Sequence, residues 1–167
     1  MNTSEASRNF QEELVALLPR LRRFARNLTR SPADADDMVQ IALERALQRS
    51  EQWHTDARLD AWMFRIVRNA WIDEVRARTR RNKLFAEEAA GDNVGTDTME
   101  SESTLMSVQA AMRRLPDEQR EAVSLVLIEG LPYKEAAEVL EVPIGTLTSR
   151  LARGREALQA MLGGEDA

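Results

Sequence analysis

The last third of the chain carries two helical patterns joined by a turn so short that only a helix-turn-helix accommodates both. Apolar residues repeat at helical spacing in each segment: Ala136, Ala137 and Leu140 in the first, Leu147 and Leu151 in the second. Val142 and Pro143 lie between them, and a proline fits the start of a helix but not its interior. The two small alanines allow the helices to cross closely, as this motif requires.

The outward side of the second helix has side chains of the kinds that bind duplex DNA. They are short hydroxyls and guanidinium groups, which suit base edges and phosphates: Thr146, Thr148, Ser149, Arg150 and Arg153. Tyr133 and Lys134 begin the first helix, where backbone N–H groups and a cation favour a phosphate. Two alternatives stay open, because any helical hairpin gives a similar pattern and Arg153 has Glu156 as an ion-pair partner one turn away.

The net charge of −5 conceals an uneven distribution along the chain. Residues 58–83 hold eight basic and three acidic side chains, whereas residues 84–112 hold six acidic and no basic ones. Because affinity for nucleic acid depends on local cation density, the first of these segments is a candidate DNA-binding surface. A solvated helix face is the alternative explanation for its charge.

The composition excludes several classes of protein. The 167 residues include no cysteine and one histidine, which rules out disulfides, thiolate metal sites and histidine clusters. No stretch approaches the roughly 20 apolar residues that cross a bilayer, and the first residues do not resemble a signal peptide, so we expect a cytoplasmic protein without membrane insertion. Because there is no glycine-rich phosphate loop or catalytic acid pair, we predict no enzyme activity, catalytic residue, metal or cofactor.

Residues 1–83 are predicted to form a first helical domain. Pro19 lies within the first helical pattern and predicts a kink or restart there. Ser31 and Pro32 have the types expected for the N-cap and first turn of a second helix, which runs to about Arg49. After a polar loop, a third helix shows a clear 3.6-residue apolar period that starts at Leu59.

The remainder of the chain is predicted to contain a linker and a second domain. Residues 84–104 lack a helical pattern and are rich in acids, glycine and serine, which favours a flexible linker that leaves the two domains independently mobile. Residues 105–162 contain a helix that begins at Pro116 and ends at Gly130, followed by the helix-turn-helix. The predicted fold class is therefore all-α, with two small helical domains joined by a flexible acidic linker.

Three blocks of the chain resemble, in the expected order, the bacterial extracytoplasmic-function (ECF) sigma factors. Residues 34–40 (Asp-Ala-Asp-Asp-Met-Val-Gln) are similar to the acidic helix of sigma region two that docks on RNA polymerase. Residues 61–69 (Ala-Trp-Met-Phe-Arg-Ile-Val-Arg-Asn), followed by Ile72 and Asp73, are similar to the helix that melts and recognises the −10 element. Leu115-Pro116, Tyr-Lys-Glu-Ala-Ala at 133–137, Val-Pro-Ile-Gly-Thr at 142–146 and Ser-Arg-Leu at 149–151 are similar to region four.

The chain departs from these relatives at three positions. Ile41 stands where another acidic residue is common, which reduces the charge available for docking on the polymerase. Thr148 replaces a frequent basic residue, and Ala152 replaces a larger side chain, so the base contacts of relatives do not transfer directly.

The resemblance implies three functional surfaces. The first is a docking face for the polymerase core, on the clamp helices of its largest subunit: Asp36, Asp37, Gln40 and Glu44. The second recognises the −10 element: Trp53, His54, Arg58, Arg65, Arg68, Asn69, Arg76 and Arg80. The third is the helix-turn-helix with the residues named above, which would contact the −35 element while its domain binds the flap of the second-largest subunit.

Each implied role has a structural alternative. The acidic residues near position 36 also suit a helix N-terminus, where they complement the helix dipole. Trp53 would either stack on an unpaired base or fold back on the core. Asn69 would either read the edge of a flipped base or lie on the helix surface as a solvated amide.

The predicted function is that of a sigma factor, which confers promoter specificity on RNA polymerase and is held inactive by an anti-sigma partner. Two alternatives are a sigma mimic that titrates an anti-sigma factor and a stand-alone helix-turn-helix regulator. Basic residues on both DNA-facing helices favour the sigma factor, since a mimic does not need them. The linker has two alternative roles, as a plain tether or as an acidic mimic of nucleic acid in the polymerase's RNA channel.

Overall fold

The computed structural model describes residues 3–53, 58–86 and 107–163, and these contain helices, tight turns and no strand. The all-α prediction is therefore confirmed. The α-helices are α1 (Thr3–Thr29), α2 (Pro32–Gln48), α3 (Leu59–Ala86), α4 (Val108–Arg114), α5 (Asp117–Val123), α6 (Tyr133–Leu140) and α7 (Ile144–Leu162). A 3₁₀ turn spans Ser50–Gln52, and a π-helical turn, Ser124–Ile128, extends α5.

The first three helices pack around aromatic and aliphatic side chains that are removed from solvent. Phe24 of α1 and Phe64 of α3 meet edge to face, with ring centroids 5.0 Å apart, and neither is exposed. The predicted cap of α2 is confirmed, because the Ser31 hydroxyl accepts a hydrogen bond from the backbone N–H of Asp34 at 3.2 Å. This bond satisfies one of the free donors at the start of the helix and fixes where α2 begins.

The predicted restart at Pro19 is wrong, because α1 continues through the proline as one helix of 27 residues. A proline inside a helix removes the hydrogen bond to the carbonyl one turn earlier, here that of Val15. Val15 is 63% exposed. Pro19 is exposed as well, so both residues of the missing bond lie on the outward side of α1, whereas Leu14 and Leu21 on either side of the proline are buried.

The second domain is built from α4 to α7, and two positive φ angles shape its turns. Gly130 ends the π-helical turn with φ +75°, as the sequence predicted. Glu141 ends α6 with φ +57°, although it carries a side chain, and its backbone N–H reaches back to the last turn of the helix. This left-handed cap turns the chain sharply, so that α7 starts directly after Pro143.

The boundary predicted for the linker differs from the structure. Helix α3 continues to Ala86, so the first three residues assigned to the linker are helical, and Leu84 and Phe85 lie on its exposed surface. Residues 87–106, which hold the rest of the predicted linker, lie outside the described residues. The second domain is described from Ser107, whose side chain caps α4.

The two domains pack against each other, whereas the sequence predicted independent mobility. Helix α3 contacts α6, α1 contacts α5, and the buried apolar side chains of both domains form one continuous cluster. Ion pairs between residues 53 to 109 positions apart join the two surfaces. Such distant pairs leave no periodic signal in a sequence, which explains why the pattern alone did not predict the contact.

A glycine on α7 sets how closely α5 and α7 approach. A Cβ atom at Gly154 would lie 2.7 Å from Cγ2 of Val123, whereas a Cβ at Gly145 on the same helix would meet no atom within 4 Å. We expect Gly154→Ala to destabilise the protein by about 1–3 kcal/mol, because the stiff valine side chain has no room to move.

Gly145→Ala is the matched control and should be neutral or stabilising by up to about 1 kcal/mol, because alanine favours the helix. Thermal unfolding followed by circular dichroism compares the two variants. A melting temperature that falls equally in both would mean that the close approach at Gly154 does not constrain the packing.

Candidate nucleic-acid interface

Helix α3 carries the cations predicted to contact the −10 element. Arg65, Arg76 and Arg80 are exposed, and Arg68 and Asn69 are half-buried. At 1.5 Å per residue, the segment from Arg65 to Arg80 extends about 22 Å along one helix. The structure therefore places these five side chains on a single rigid element.

Two of these cations form ion pairs with the second domain. Nη2 of Arg65 lies 2.8 Å from the carboxylate of Glu141, and Nε of Arg68 donates to Glu121 at 2.6 Å. The Arg65 pair is about half exposed, whereas the Arg68 pair retains only about 15% of its side-chain exposure. The second pair is consequently better shielded from salt than the first.

The predicted DNA-binding residue Arg58 belongs to a network at the start of α3. Its guanidinium binds the buried Asp60 with two hydrogen bonds, of 3.0 and 2.8 Å, and Arg20 of α1 adds a third at 3.1 Å. Burial alone would raise the pKa of Asp60, but the hydrogen bonds from Arg58 and Arg20 outweigh it and hold that pKa below its usual value. Arg58 is thus fixed in orientation at the edge of α3.

Trp53 packs against the first domain. Its ring centroid lies 5.3 Å from that of Phe10, which in turn meets Trp62 at 6.2 Å. The buried indole Nε1 has no hydrogen-bond partner among the described residues. Trp53 therefore folds back on the core, which is the structural alternative to stacking on an unpaired base. The neighbouring His54, also predicted to bind the −10 element, lies outside the described residues.

The helix-turn-helix presents its predicted contact residues on α6 and α7. The exposed ones are Tyr133, Lys134, Thr148, Ser149 and Arg153, while Thr146 and Arg150 are half-buried. The Thr148 hydroxyl donates to the carbonyl of Ile144 at 2.9 Å, so it offers acceptor lone pairs to the outside. Arg150 lies 3.5 Å from Glu118 of α5. The pair between Arg153 and Glu156 is not formed, although the structure describes both residues.

An acidic face lies on α2, away from these cations. Asp36, Asp37, Gln40 and Glu44 are all exposed, and a cleft of about 450 Å³ between α1 and α2 adjoins them. The cleft combines apolar walls with charges of both signs: Leu18, Arg22, Arg26, Asp36, Val39, Gln40 and Leu43. Acidic side chains of α2 thus border a cleft whose walls are both apolar and charged.

Asp34 is separate from this acidic face. Both of its carboxylate oxygens accept hydrogen bonds from Arg78 of α3, at 2.8 and 3.1 Å. These bonds, with some opposition from burial, lower the pKa of Asp34. The residue therefore joins α2 to α3.

The chain matches two protein families, one for each domain. Residues 14–81 match Sigma-70 region 2, and residues 105–158 match Sigma-70, region 4. The ECF RNA polymerase sigma factor EcfG of Rhodopseudomonas palustris is 34% identical over 95% of this chain and 89% of its own length. The ECF RNA polymerase sigma factor SigM of Mycobacterium tuberculosis is 39% identical over 86% of this chain and 71% of its own length.

The chain belongs to the ECF RNA polymerase sigma factors. Among solved structures, the sigma factor RpoE from Bartonella quintana, in complex with the anti-sigma factor NepR, is similar with a TM-score of 0.78 and 30% identity. That match covers 94% of this sigma factor and 98% of the solved chain. The recognition made from the three sequence blocks is confirmed.

Further residues of this sigma factor became visible only in three dimensions. Glu121, Glu129 and Glu141 of the second domain each contact arginines of the first, and none was singled out in the sequence.

Within the described residues there is no group of three side chains placed to hold a metal ion. In the same parts of the chain, no helix is both long and apolar enough to cross a membrane.

The buried carboxylate of Asp60 gives this sigma factor a pH-dependent stability. Because the folded-state pKa of Asp60 is lowered, its contribution is complete above the unfolded value of about 3.9 and is lost as pH falls through the folded value. We expect Asp60→Asn to cost about 1–3 kcal/mol at pH 7, and the difference from the original protein should shrink below pH 4.

Urea unfolding at a series of pH values measures this difference. Asp73→Asn is the control, because Asp73 forms an exposed pair with Arg45 and its loss should cost less than about 1 kcal/mol at any pH. A difference between Asp60→Asn and the original protein that stays constant with pH would contradict the role assigned to the Asp60 charge.

Proposed function

We propose that this sigma factor is a dissociable, non-catalytic subunit that directs RNA polymerase core to promoters with particular −10 and −35 elements. The observation that carries the proposal is the presence of sigma regions 2 and 4 in one chain, each with its cations on an accessible helix. Polymerisation belongs to the core enzyme, and the sigma factor contributes binding and positioning. Its place of action is then the cytoplasm, with the polymerase.

The first domain is proposed to bind the −10 element. Arg65, Arg68, Arg76 and Arg80 on α3 would contact the phosphate backbone, which fixes position without reading sequence. Asn69 lies among them on the same helix, and its amide both donates and accepts, as the edge of an unpaired base requires. Because α3 is rigid, the phosphate contacts would hold a melted base in front of Asn69.

The second domain is proposed to read the −35 duplex through α7. Ser149, Thr148 and Arg153 are exposed on this helix, and Arg150 lies beside them. A hydroxyl that already donates to its own helix, as that of Thr148 does, favours base edges that present a donor. Tyr133 and Lys134 at the start of α6 would contact the flanking phosphates.

The acidic face of α2 is proposed to dock on the polymerase core. Asp37 and Gln40 are three residues apart and Glu44 follows one turn later, so they share one face of the helix. The family resemblance makes the clamp helices of the largest subunit the partner of this face. The flap of the second-largest subunit would then bind the second domain.

An anti-sigma factor is proposed as the regulatory partner. The support comes from the similar sigma factor of Bartonella quintana, which was solved with NepR. The cations on both DNA-facing helices favour a working sigma factor over a mimic that only titrates an anti-sigma factor. A stand-alone helix-turn-helix regulator is less well supported, since region 2 occupies the first domain. For the linker, residues 84–104, two roles remain as separate proposals. It is either a plain tether between the domains or an acidic mimic of nucleic acid in the polymerase's RNA channel.

Run-off transcription tests the proposed function directly. Purified core polymerase is combined with this sigma factor and promoter fragments selected from genomic DNA by the reconstituted holoenzyme. We expect defined transcripts that core alone does not produce. A chain that neither binds core nor gives a transcript would support the mimic, and duplex binding by the free chain with no effect of core would support the stand-alone regulator.

The docking face gives a sharper prediction. Asp37→Lys should weaken binding to core polymerase at low salt, because it reverses a charge on the exposed face of α2. The defect should shrink as salt is raised, because dissolved ions screen interactions between exposed charges. At 0.1 M salt the screening (Debye) length is about 10 Å, and it becomes shorter as the salt concentration rises.

Glu12→Lys on α1 is the matched control, with the same charge change at another exposed position of the first domain. Fluorescence anisotropy of labelled sigma factor titrated with core measures both variants at several salt concentrations. Equal affinities for the two variants would mean that Asp37 does not contact the core. The acidic cluster of α2 would then serve only to stabilise the start of the helix.

A further inference from the structure

Thr148 lies on the exposed side of α7, and its hydroxyl group already donates its only hydrogen within the helix. Oγ1 donates to the backbone carbonyl of Ile144, one turn earlier, at 2.9 Å. A hydroxyl has one hydrogen and two acceptor lone pairs, so only acceptor capacity is left for a group outside the helix. Towards a ligand, this threonine therefore accepts hydrogen bonds and does not donate them.

The acceptor character of Thr148 limits which groups of a DNA duplex it can bind. Phosphate oxygens only accept hydrogen bonds, so a backbone contact would require the hydroxyl to give up its bond to Ile144. In the major groove, the hydrogen-bond donors of the bases are the N6 amino group of adenine and the N4 amino group of cytosine. Guanine and thymine present carbonyl oxygens in the corresponding places. Thr148 is therefore complementary to adenine and cytosine.

The outward approach to the Thr148 hydroxyl is open. Gly145 and Ala152, three residues before it and four after it, share its face of α7, and both are exposed. A Cβ atom built on Gly145 would meet no atom within 4 Å. The nearest arginine along the helix, Arg150, lies 3.5 Å from Glu118 of α5, and its side chain is only 22% exposed. A base edge can therefore reach the hydroxyl without competition from a charged side chain one turn away on α7.

We propose that Thr148 fixes the orientation of one base pair of the −35 element by accepting a hydrogen bond from an exocyclic amino group. Adenine and cytosine on the contacted strand both supply that group. Guanine or thymine on that strand would place a carbonyl oxygen against the hydroxyl oxygen and leave two acceptors unpaired. The element should thus contain one position at which A and C are interchangeable on one strand. This inference rests on the proposed function for the position of α7 in the major groove.

Selection of randomised −35 sequences by the reconstituted holoenzyme locates the base pair that Thr148 reads. Thr148→Val keeps the shape of the side chain but removes its acceptor. We expect this variant to lose the preference for A and C at one position by about two- to tenfold, the effect of one hydrogen bond, and to keep the preferences at the other positions. Thr148→Ser should retain the preference, because a serine hydroxyl bonds to the carbonyl four residues earlier in the same way.

Thr79 on α3 supplies a matched control. Its side chain is exposed, and its hydroxyl donates to the carbonyl of Val75 at 2.9 Å, as Thr148 does to Ile144. Thr79→Val therefore removes the same helical hydrogen bond and should leave the −35 profile unchanged. A Thr148→Val profile identical to that of the original protein would overturn the proposal. So would a lost preference that does not separate A and C from G and T.

Base analogues test which group of the base pair is read. In the selected promoter, adenine is replaced by purine, or cytosine by 2-pyrimidinone, so that the amino group is missing. Holoenzyme with Thr148 should then lose about two- to tenfold more affinity than holoenzyme with Thr148→Val, because only the threonine makes the contact. Equal losses in the two holoenzymes would contradict the proposal.

A 7-deazapurine in the same base pair tests the opposite direction of the hydrogen bond. It lacks the N7 acceptor and leaves the amino groups in place, so it should affect both holoenzymes equally. A greater loss with Thr148 than with Thr148→Val would show that the hydroxyl donates, which would overturn the inference. Run-off transcription by the original protein does not depend on these results, so failure of the proposed function remains separately visible.

Discussion

The buried carboxylate of Glu129 is the contact on which the arrangement of the whole molecule depends. It lies at the end of the π-helical turn that extends α5, and its two arginine partners both come from the middle of α1. Arg20 also reaches Asp60 at the start of α3, so one guanidinium joins three elements. A second arginine, the buried Arg120, donates to the carbonyl of Asn27 near the end of α1 and holds the other end of α5.

The parts of the fold that follow from local chemistry could be predicted from the sequence. The Ser31 cap, the left-handed Gly130 and the apolar periods of the helices each depend on residues a few positions apart. The local pattern left open whether α1 kinks or restarts at Pro19, because it does not show which residues around the proline become buried. The domain contact was not predicted either, since its apolar and charged partners lie 53 positions or more apart in the sequence.

In the candidate nucleic-acid interface too, local features could be predicted from the sequence and distant contacts could not. The residue types of α3 and α7 predicted which helices carry cations and hydroxyls. The two sigma regions were identified from the resemblance of three sequence blocks to a known family. The sequence could not show which cations are paired. Asp34 illustrates the difficulty, because the residue lies in the acidic block but its carboxylate binds Arg78 on α3. Only the fold shows that Asp34 has an internal partner, whereas Asp37 of the same block has no ion-pair partner among the described residues.

The close contact at Gly154 has a mechanical consequence. Val123, which meets Gly154, and Glu121, which accepts a hydrogen bond from Arg68 of α3 at 2.6 Å, both lie on α5. A side chain at position 154 would therefore push against α5 and, through Glu121, against the contact that this helix makes with α3.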